Sequence, residues 1–258
     1  MRRKLIAFDI DGTLLGTDKK PLKSTIKALR ELKKAGHLVT IATGRSRFLA
    51  REIIRELDFE NYIVCNGSAA FLNHNQIFKQ LLDQTELDRL VLEANEAGID
   101  TAFIEMDRAR RMTSNNVGTM ASAMMSFGAD LPELDDQFPE EQEIYQALAF
   151  FTESYDQQFA TAFPRFRFVR WHENCVDVLP QNGSKAATIQ FLAERVGIPP
   201  QDIIAFGDGN NDIEMLSQAG VGVAMGNATP QVQQWADLVT DDCDSDGIWK
   251  ALKVLKLV

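Results

Sequence analysis

A chain of 258 residues, 45% hydrophobic and 25% charged, has material for one large domain or for a core domain carrying a smaller one, and reads as a soluble globular protein. Its formal net charge of -10 disfavours a general nucleic-acid binder but leaves small anionic substrates open, since these need only a local cluster of cations or backbone N–H groups. No stretch approaches the ~20 apolar residues of a membrane span, and Met1-Arg2-Arg3-Lys4 leads into an apolar run too short for a signal peptide, so a cytoplasmic protein without a membrane partner is expected.

Taken in chain order, Leu5 to Phe8 reads as a buried strand, and Lys23 to Lys34 as a helix stopped at Gly36, with Ile26, Leu29 and Leu32 at helical spacing. His37 to Ala42 predicts a second strand, Phe48 to Leu57 a second helix and Tyr62 to Cys65 a third strand. The texture changes between Asp83 and Asn182: a helix over Thr85 to Ala97 precedes strand-like segments at Thr101 to Glu105, Ile144 to Phe151, Phe166 to Trp171 and Cys175 to Leu179. Helix and strand then alternate again, with helices at Lys185 to Val196 and Asp212 to Ala219 and strands at Ile203 to Phe206 and Val221 to Ala224. Leu252 to Val258 reads as a half-buried final helix. The fold class expected is therefore α/β: a Rossmann-like parallel-sheet core from residues 1–82 and 183–258, and an inserted α/β domain over residues 83–182.

Ligands of an open parallel sheet gather beyond the carboxyl ends of its strands. Asp9 and Asp11 close the first strand, Thr43-Gly44-Arg45 the second, and Gly207-Asp208-Gly209-Asn210-Asn211-Asp212 the strand Ile203 to Phe206, while Lys185 opens the preceding helix. At ~4 Å and an effective dielectric constant near 20, two carboxylates repel by about 4 kcal/mol, so such a cluster calls for a cation. Oxygen-only ligands favour magnesium or calcium. A calcium loop of the EF-hand kind fails on spacing: counted from Asp9, its sixth and twelfth positions are Leu14 and Lys20, and counted from Asp208 they are Ile213 and Ala219. Beside magnesium, Asp9 is suited to attack phosphorus as the ionised nucleophile, and Asp11 to carry the proton of the leaving oxygen, which requires a raised pKa. Thr43 and the Gly44 N–H are placed to bind phosphoryl oxygens, and Lys185 to neutralise the charge developing there.

Together these residues resemble the haloacid dehalogenase superfamily of phosphatases, in particular its Cof-type members. Asp9-Ile10-Asp11-Gly12-Thr13-Leu14-Leu15 is similar to the family's first motif, Ala42-Thr43-Gly44-Arg45 to the second, Ser184-Lys185 to the third, and Gly207 to Asp212 to the fourth. Asn66-Gly67-Ser68-Ala69, Gly222 to Ala228 and Asp246-Gly247-Ile248 extend the likeness. The resemblance implies Asp9 as nucleophile and magnesium ligand, Asp11 as general acid/base whose carbonyl also meets the metal, and Asp208 as the third protein ligand. It further implies phosphate contacts from Thr43, Gly44, Lys185 and Asn211, with Asp212 holding Lys185 and the metal's waters. It casts the insertion as a cap that closes over the site and selects the substrate. Ala186 departs from the pattern, since relatives usually carry glycine there.

The function expected is magnesium-dependent hydrolysis of small phosphomonoesters, sugar phosphates or similar metabolites, by a monomer or homodimer. The alternatives are a phosphomutase or phosphotransferase using the same phospho-aspartate, and a phosphate-ligand-binding protein without turnover. Other features read more plainly. Cys65, Cys175 and Cys243 lack metal or redox spacing and are taken as reduced; His37, His74 and His172 are taken as surface or packing residues. Arg108, Arg110 and Arg111 are assigned to a solvated turn, Met120, Met124, Met125 and Phe127 to the insertion's own core, Trp171 to Asn174 to a loop, and the acidic segment Asp130 to Glu141 to an exposed connection.

Overall fold

A computed structural model describes residues 2–126, 128–135 and 142–258. In chain order its strands are β1 Leu5–Phe8, β2 Leu38–Ala42, β3 Tyr62–Val64, β4 Ala69–Leu72, β5 Asn75–Lys79, β6 Asp100–Ile104, β7 Ala109–Arg111, β8 Glu133–Leu134, β9 Gln146–Phe150, β10 Phe166–His172, β11 Cys175–Pro180, β12 Ile203–Gly207, β13 Val221–Ala224 and β14 Leu238–Val239. The chain divides into two compact units, one of Met1–Gly44, Arg51–Phe78 and Ser184–Val258, the other of Arg45–Ala50 and Lys79–Gly183.

The first unit is built on a sheet with strand order β14-β13-β12-β1-β2-β3-β4-β5. Pairs from β14 through β3 are parallel, and β4 then returns antiparallel to β3. β1, β2 and β12 are buried at every residue, as expected of continuous apolar strands covered on both faces. The helix Lys23–Lys34 buries Thr25, Ala28, Leu29 and Leu32, one helical stripe, and the chain leaves it through Gly36 at φ +84°. On the other face the helix Lys185–Arg195 packs Ala186, Ile189, Leu192 and Ala193 with Ala7, Ala42, Ile63, Ala205 and Met215. Ala186 thus lies inside a helix with its methyl in the core, and nothing there requires glycine. From β1 the chain builds outward through β2 and β3 on one side, and β12, β13 and β14 occupy the other. The sheet's switch point therefore falls at the carboxyl end of β1.

The second unit has a six-stranded sheet of order β10-β11-β9-β6-β7-β8. Its core joins Leu87, Leu90 and Ala94 of the helix Gln84–Glu96 to Phe103, Ala147, Ala149, Phe159, Phe163, Val176 and Val178. Asp83 caps that helix by accepting from the Glu86 N–H at 2.9 Å.

Several local readings change. The strand read over Phe166 to Trp171 runs one residue further, to His172, so of the segment Trp171 to Asn174 only Glu173 and Asn174 form the turn. Arg110 and Arg111 sit in β7: Arg110 pairs with Glu105 and Asp135, and Arg111 donates to the carbonyls of Pro132 and Thr113. Met120 and Met124 are buried as expected, but Met125 is 74% exposed, one position round the helix from its buried neighbour; Phe127 lies outside the described residues. In the acidic segment Glu133–Leu134 form a short strand on β7, and 136–141 lie outside the described residues. The final helix is Gly247–Val254, earlier than expected, and Lys256 at φ +57° turns the chain out of it. The three cysteines are buried and in no disulfide. No described helix is long and apolar enough to cross a membrane.

Candidate active site

The candidate residues of the core converge on the switch point. Asp9 continues β1, its N–H donating to the Phe206 carbonyl at 2.9 Å, so β12 holds the backbone of the first aspartate. Lys185 Nζ donates to Asp9 Oδ1 and to Asp212 Oδ1, both at 2.7 Å, and its side chain is 1% exposed. Asp212 Oδ2 accepts the N–H groups of Asp208 at 3.0 Å and Gly209 at 2.9 Å. Asp212 therefore accepts on both oxygens and links the turn after β12 to the lysine. Thr13 donates to Asp208 Oδ1 at 3.0 Å.

Single atoms from Asp9, Asp208 and Asp212 lie within 4.8 Å of one another. Asp11, two residues beyond Asp9, carries its carboxylate outside this cluster, where Lys19 Nζ lies 3.2 Å from Oδ1. Of the residues expected to contact phosphate, Thr43 is buried and its N–H donates to the Ile63 carbonyl at 3.0 Å. Asn211 Nδ2 donates to Asn66 Oδ1 at 2.9 Å.

Charge balance explains the electrostatics. Burial pushes Asp9 well above the usual carboxylate range; Lys185 works against the shift, and the negative charges of Asp212 and Asp208 add to it. Asp208 is pushed up to about 7, chiefly by burial and then by Asp212, against the Thr13 hydrogen bond. Burial alone would lower the Lys185 pKa, but Asp212 and Asp9 outweigh it and raise it. Three carboxylates facing one ammonium leave a surplus of negative charge that a cation would neutralise. The donors are all oxygen, which suits a hard divalent ion.

Sequence reasoning assigned no role to three further residues. Asn227 Nδ2 donates to the Gly12 carbonyl at 2.9 Å and to Asp208 Oδ2 at 3.2 Å, tying the loop after β1 to the loop after β12. Thr13 and Asn66 are the others. All three lie within the quoted motifs, but their partners are distant in sequence and no spacing rule points to them.

Gly12 is required on two counts. It sits at φ +72°, and a methyl group there would overlap the Asp208 carboxylate. Gly12→Ala is expected to lower the thermal midpoint by several degrees, because the backbone there is left-handed and the Asp208 carboxylate must move; an unchanged midpoint would contradict this. A cavity of about 340 Å³ at the opposite, amino-terminal end of the sheet, lined among others by Arg3, Lys33, His37 and Glu60, contains none of these residues.

Carboxylates and a buried lysine thus gather at the switch point of the parallel sheet of an α/β protein. The chain belongs to the haloacid dehalogenase-like hydrolases, whose family profile matches residues 6–252, and within them to the Cof-type proteins. It is 41% identical to the protein YkrA of Bacillus subtilis over 258 residues, all of both chains. Among solved structures it resembles the phosphatase BT1666 of Bacteroides thetaiotaomicron, at 30% identity and a TM-score of 0.92 over 99% of this chain and 96% of that one. It also resembles the subclass IIB sugar phosphatase BT4131, at 30% identity and 0.87 over 99% and 100%. The chain is thus a hydrolase acting on phosphomonoesters, and such enzymes act on phosphorylated small molecules.

Proposed function

We propose that the protein is a magnesium-dependent phosphatase of small phosphomonoesters, sugar phosphates foremost, working through a phospho-aspartate on Asp9. The observation that carries this reading is the buried Asp9–Lys185–Asp212 arrangement at 2.7 Å, beside Asp208. Lys185 occupies Asp9 Oδ1, which leaves Oδ2 to attack. That oxygen forms the bond to phosphorus as the bond from phosphorus to the substrate's oxygen breaks, and Asp11 gives its proton to the departing oxygen. Asp11 then takes a proton from water as the water oxygen attacks phosphorus; phosphate leaves and Asp9 is restored. Thr43, the Gly44 N–H, Asn211 and Lys185 hold the phosphoryl oxygens.

Asp9, Asp208 and the Asp11 carbonyl would hold the magnesium, with Asp212 behind them. When bound, the ion supplies neutralisation of the phosphoryl oxygens and of the surplus carboxylate charge. We read the second unit as the substrate-selecting cap, its sheet and core being distinct from those of the first. The sugar-phosphate preference is supported by the likeness to BT4131. We read the protein as cytoplasmic, the compartment in which phosphorylated metabolites are made and used. A phosphate-release assay over sugar, polyol and nucleotide monophosphates, with magnesium and with EDTA, tests the proposal. Release confined to the magnesium arm and strongest on sugar phosphates is expected; release unaffected by EDTA would refute the metal, and transfer to an added sugar acceptor in place of release would refute hydrolysis.

A further inference from the structure

Three consecutive residues after β3, namely Cys65, Asn66 and Gly67, have positive φ, at 51°, 52° and 100°. Two of these are not glycine, a conformation that costs energy and persists only where the surroundings enforce it. Those surroundings are visible on both sides. A methyl at Gly67 would overlap the Ser184 carbonyl, and the Gly67 carbonyl accepts from Thr188 Oγ1 at 2.7 Å, which pins the tract to the first turn of the helix bearing Lys185. On the other side the Asn66 N–H donates to the Thr43 carbonyl at 3.0 Å.

The Asn66 side chain lies between the two loops read as phosphate contacts. It is 2% exposed, and its Oδ1 accepts from Asn211 Nδ2 at 2.9 Å. A side chain at position 44 would start 3.1 Å from both terminal atoms of the Asn66 amide and 3.4 Å from Asn211 Nδ2, so the amide packs over the bare Gly44 backbone. Asparagine meets both demands, since it tolerates the left-handed region and its amide oxygen reaches a donor across the site.

We propose that Asn66 is a positioning residue for phosphoryl transfer, its amide fixing Asn211 against the Thr43-Gly44 loop so that both meet the phosphoryl oxygens together. The inference rests on the reading of Asn211 as a phosphate contact. Without the amide, Asn211 turns freely and the alignment must be re-formed each time the phosphoryl group binds. The backbone ties of the tract, made by main-chain atoms, remain.

The test uses Asn66→Gly, which accommodates the left-handed backbone and removes the side chain with its amide, together with Asn211→Ala and the double variant. Inhibition by orthovanadate, a mimic of the transferred phosphoryl group, is measured against hydrolysis of para-nitrophenyl phosphate, beside the thermal midpoint of each protein. Asn66→Gly is expected to weaken vanadate about three- to tenfold with no fall in the thermal midpoint, Asn211→Ala to weaken it at least as much, and the double variant to match Asn211→Ala alone. Unchanged vanadate inhibition in Asn66→Gly beside a weakened Asn211→Ala, or losses that multiply in the double variant, would overturn the inference alone. Unchanged inhibition in Asn211→Ala would overturn its phosphate contact, and the inference with it.

Discussion

Replacing Asp9 by asparagine is expected to reduce turnover at least ~10³-fold while making the metal-free protein more stable at pH 8. The first effect is chemical: an amide does not attack phosphorus. The second follows from charge. Asp9 is 7% exposed and its pKa is raised well above 3.8 by burial and by two neighbouring carboxylates, so the fold disfavours its ionised form. The sign is fixed by linkage. Between about pH 4 and the raised folded values, about 7 for Asp208, the folded protein keeps protons that the unfolded chain has released, so metal-free stability falls as pH rises through this window. Lys185, with its folded pKa raised above 10.5, contributes stability that stays constant there. Asparagine removes one of the opposing charges and leaves Lys185 its bond to Asp212. Thermal midpoints in EDTA across pH 5 to 8 should therefore fall less steeply in the variant, and magnesium should stabilise it less than the wild type. Identical profiles would contradict this account.

Lys185→Ala should act in the opposite sense on stability. The ammonium is the shared partner of Asp9 and Asp212, and no other described lysine or arginine pairs with either. Removing one member of a buried ionic group typically costs about 3–5 kcal/mol, because the charges left behind stay desolvated. For a chain of this size that corresponds to a thermal midpoint lower by roughly 10 °C. Turnover should fall about 10²- to 10³-fold from loss of phosphoryl-oxygen stabilisation and of the hold on Asp9. Calorimetry beside steady-state kinetics checks both; an unchanged midpoint would mean that Lys185 is not the counter-ion of the cluster.

The contrast between these variants shows which parts of the site the sequence could carry. Asp9, Thr43, Lys185 and Asp208 stand at the ends of strands or at the start of a helix, and apolar runs and helical stripes mark those boundaries locally. The parallel sheet makes their convergence a geometric consequence. The surplus negative charge was foreseeable for the same reason. What escaped is set by tertiary contact. Asn66 meets a partner 145 positions away through a left-handed tract that an Asn-Gly pair signals only as a turn. Asp11 is read as the proton carrier from the motif alone, and its pairing with Lys19 is a tertiary detail the motif does not signal. Short edge strands such as β8 and β14, two residues each, carry too little pattern to be read in advance. His172 extends the strand read over Phe166 to Trp171 by one residue, and the turn before β11 is only Glu173 and Asn174.

The central claim is that Asp9 carries the phosphoryl group. Acid quenching of the magnesium-loaded enzyme during turnover of a good phosphomonoester, followed by peptide mass mapping, addresses it most directly. The account predicts a labile phosphoryl adduct on Asp9, in the peptide that also holds Asp11, and no adduct in Asp9→Asn. A phosphoryl group on another residue, or full turnover without Asp9, would contradict it.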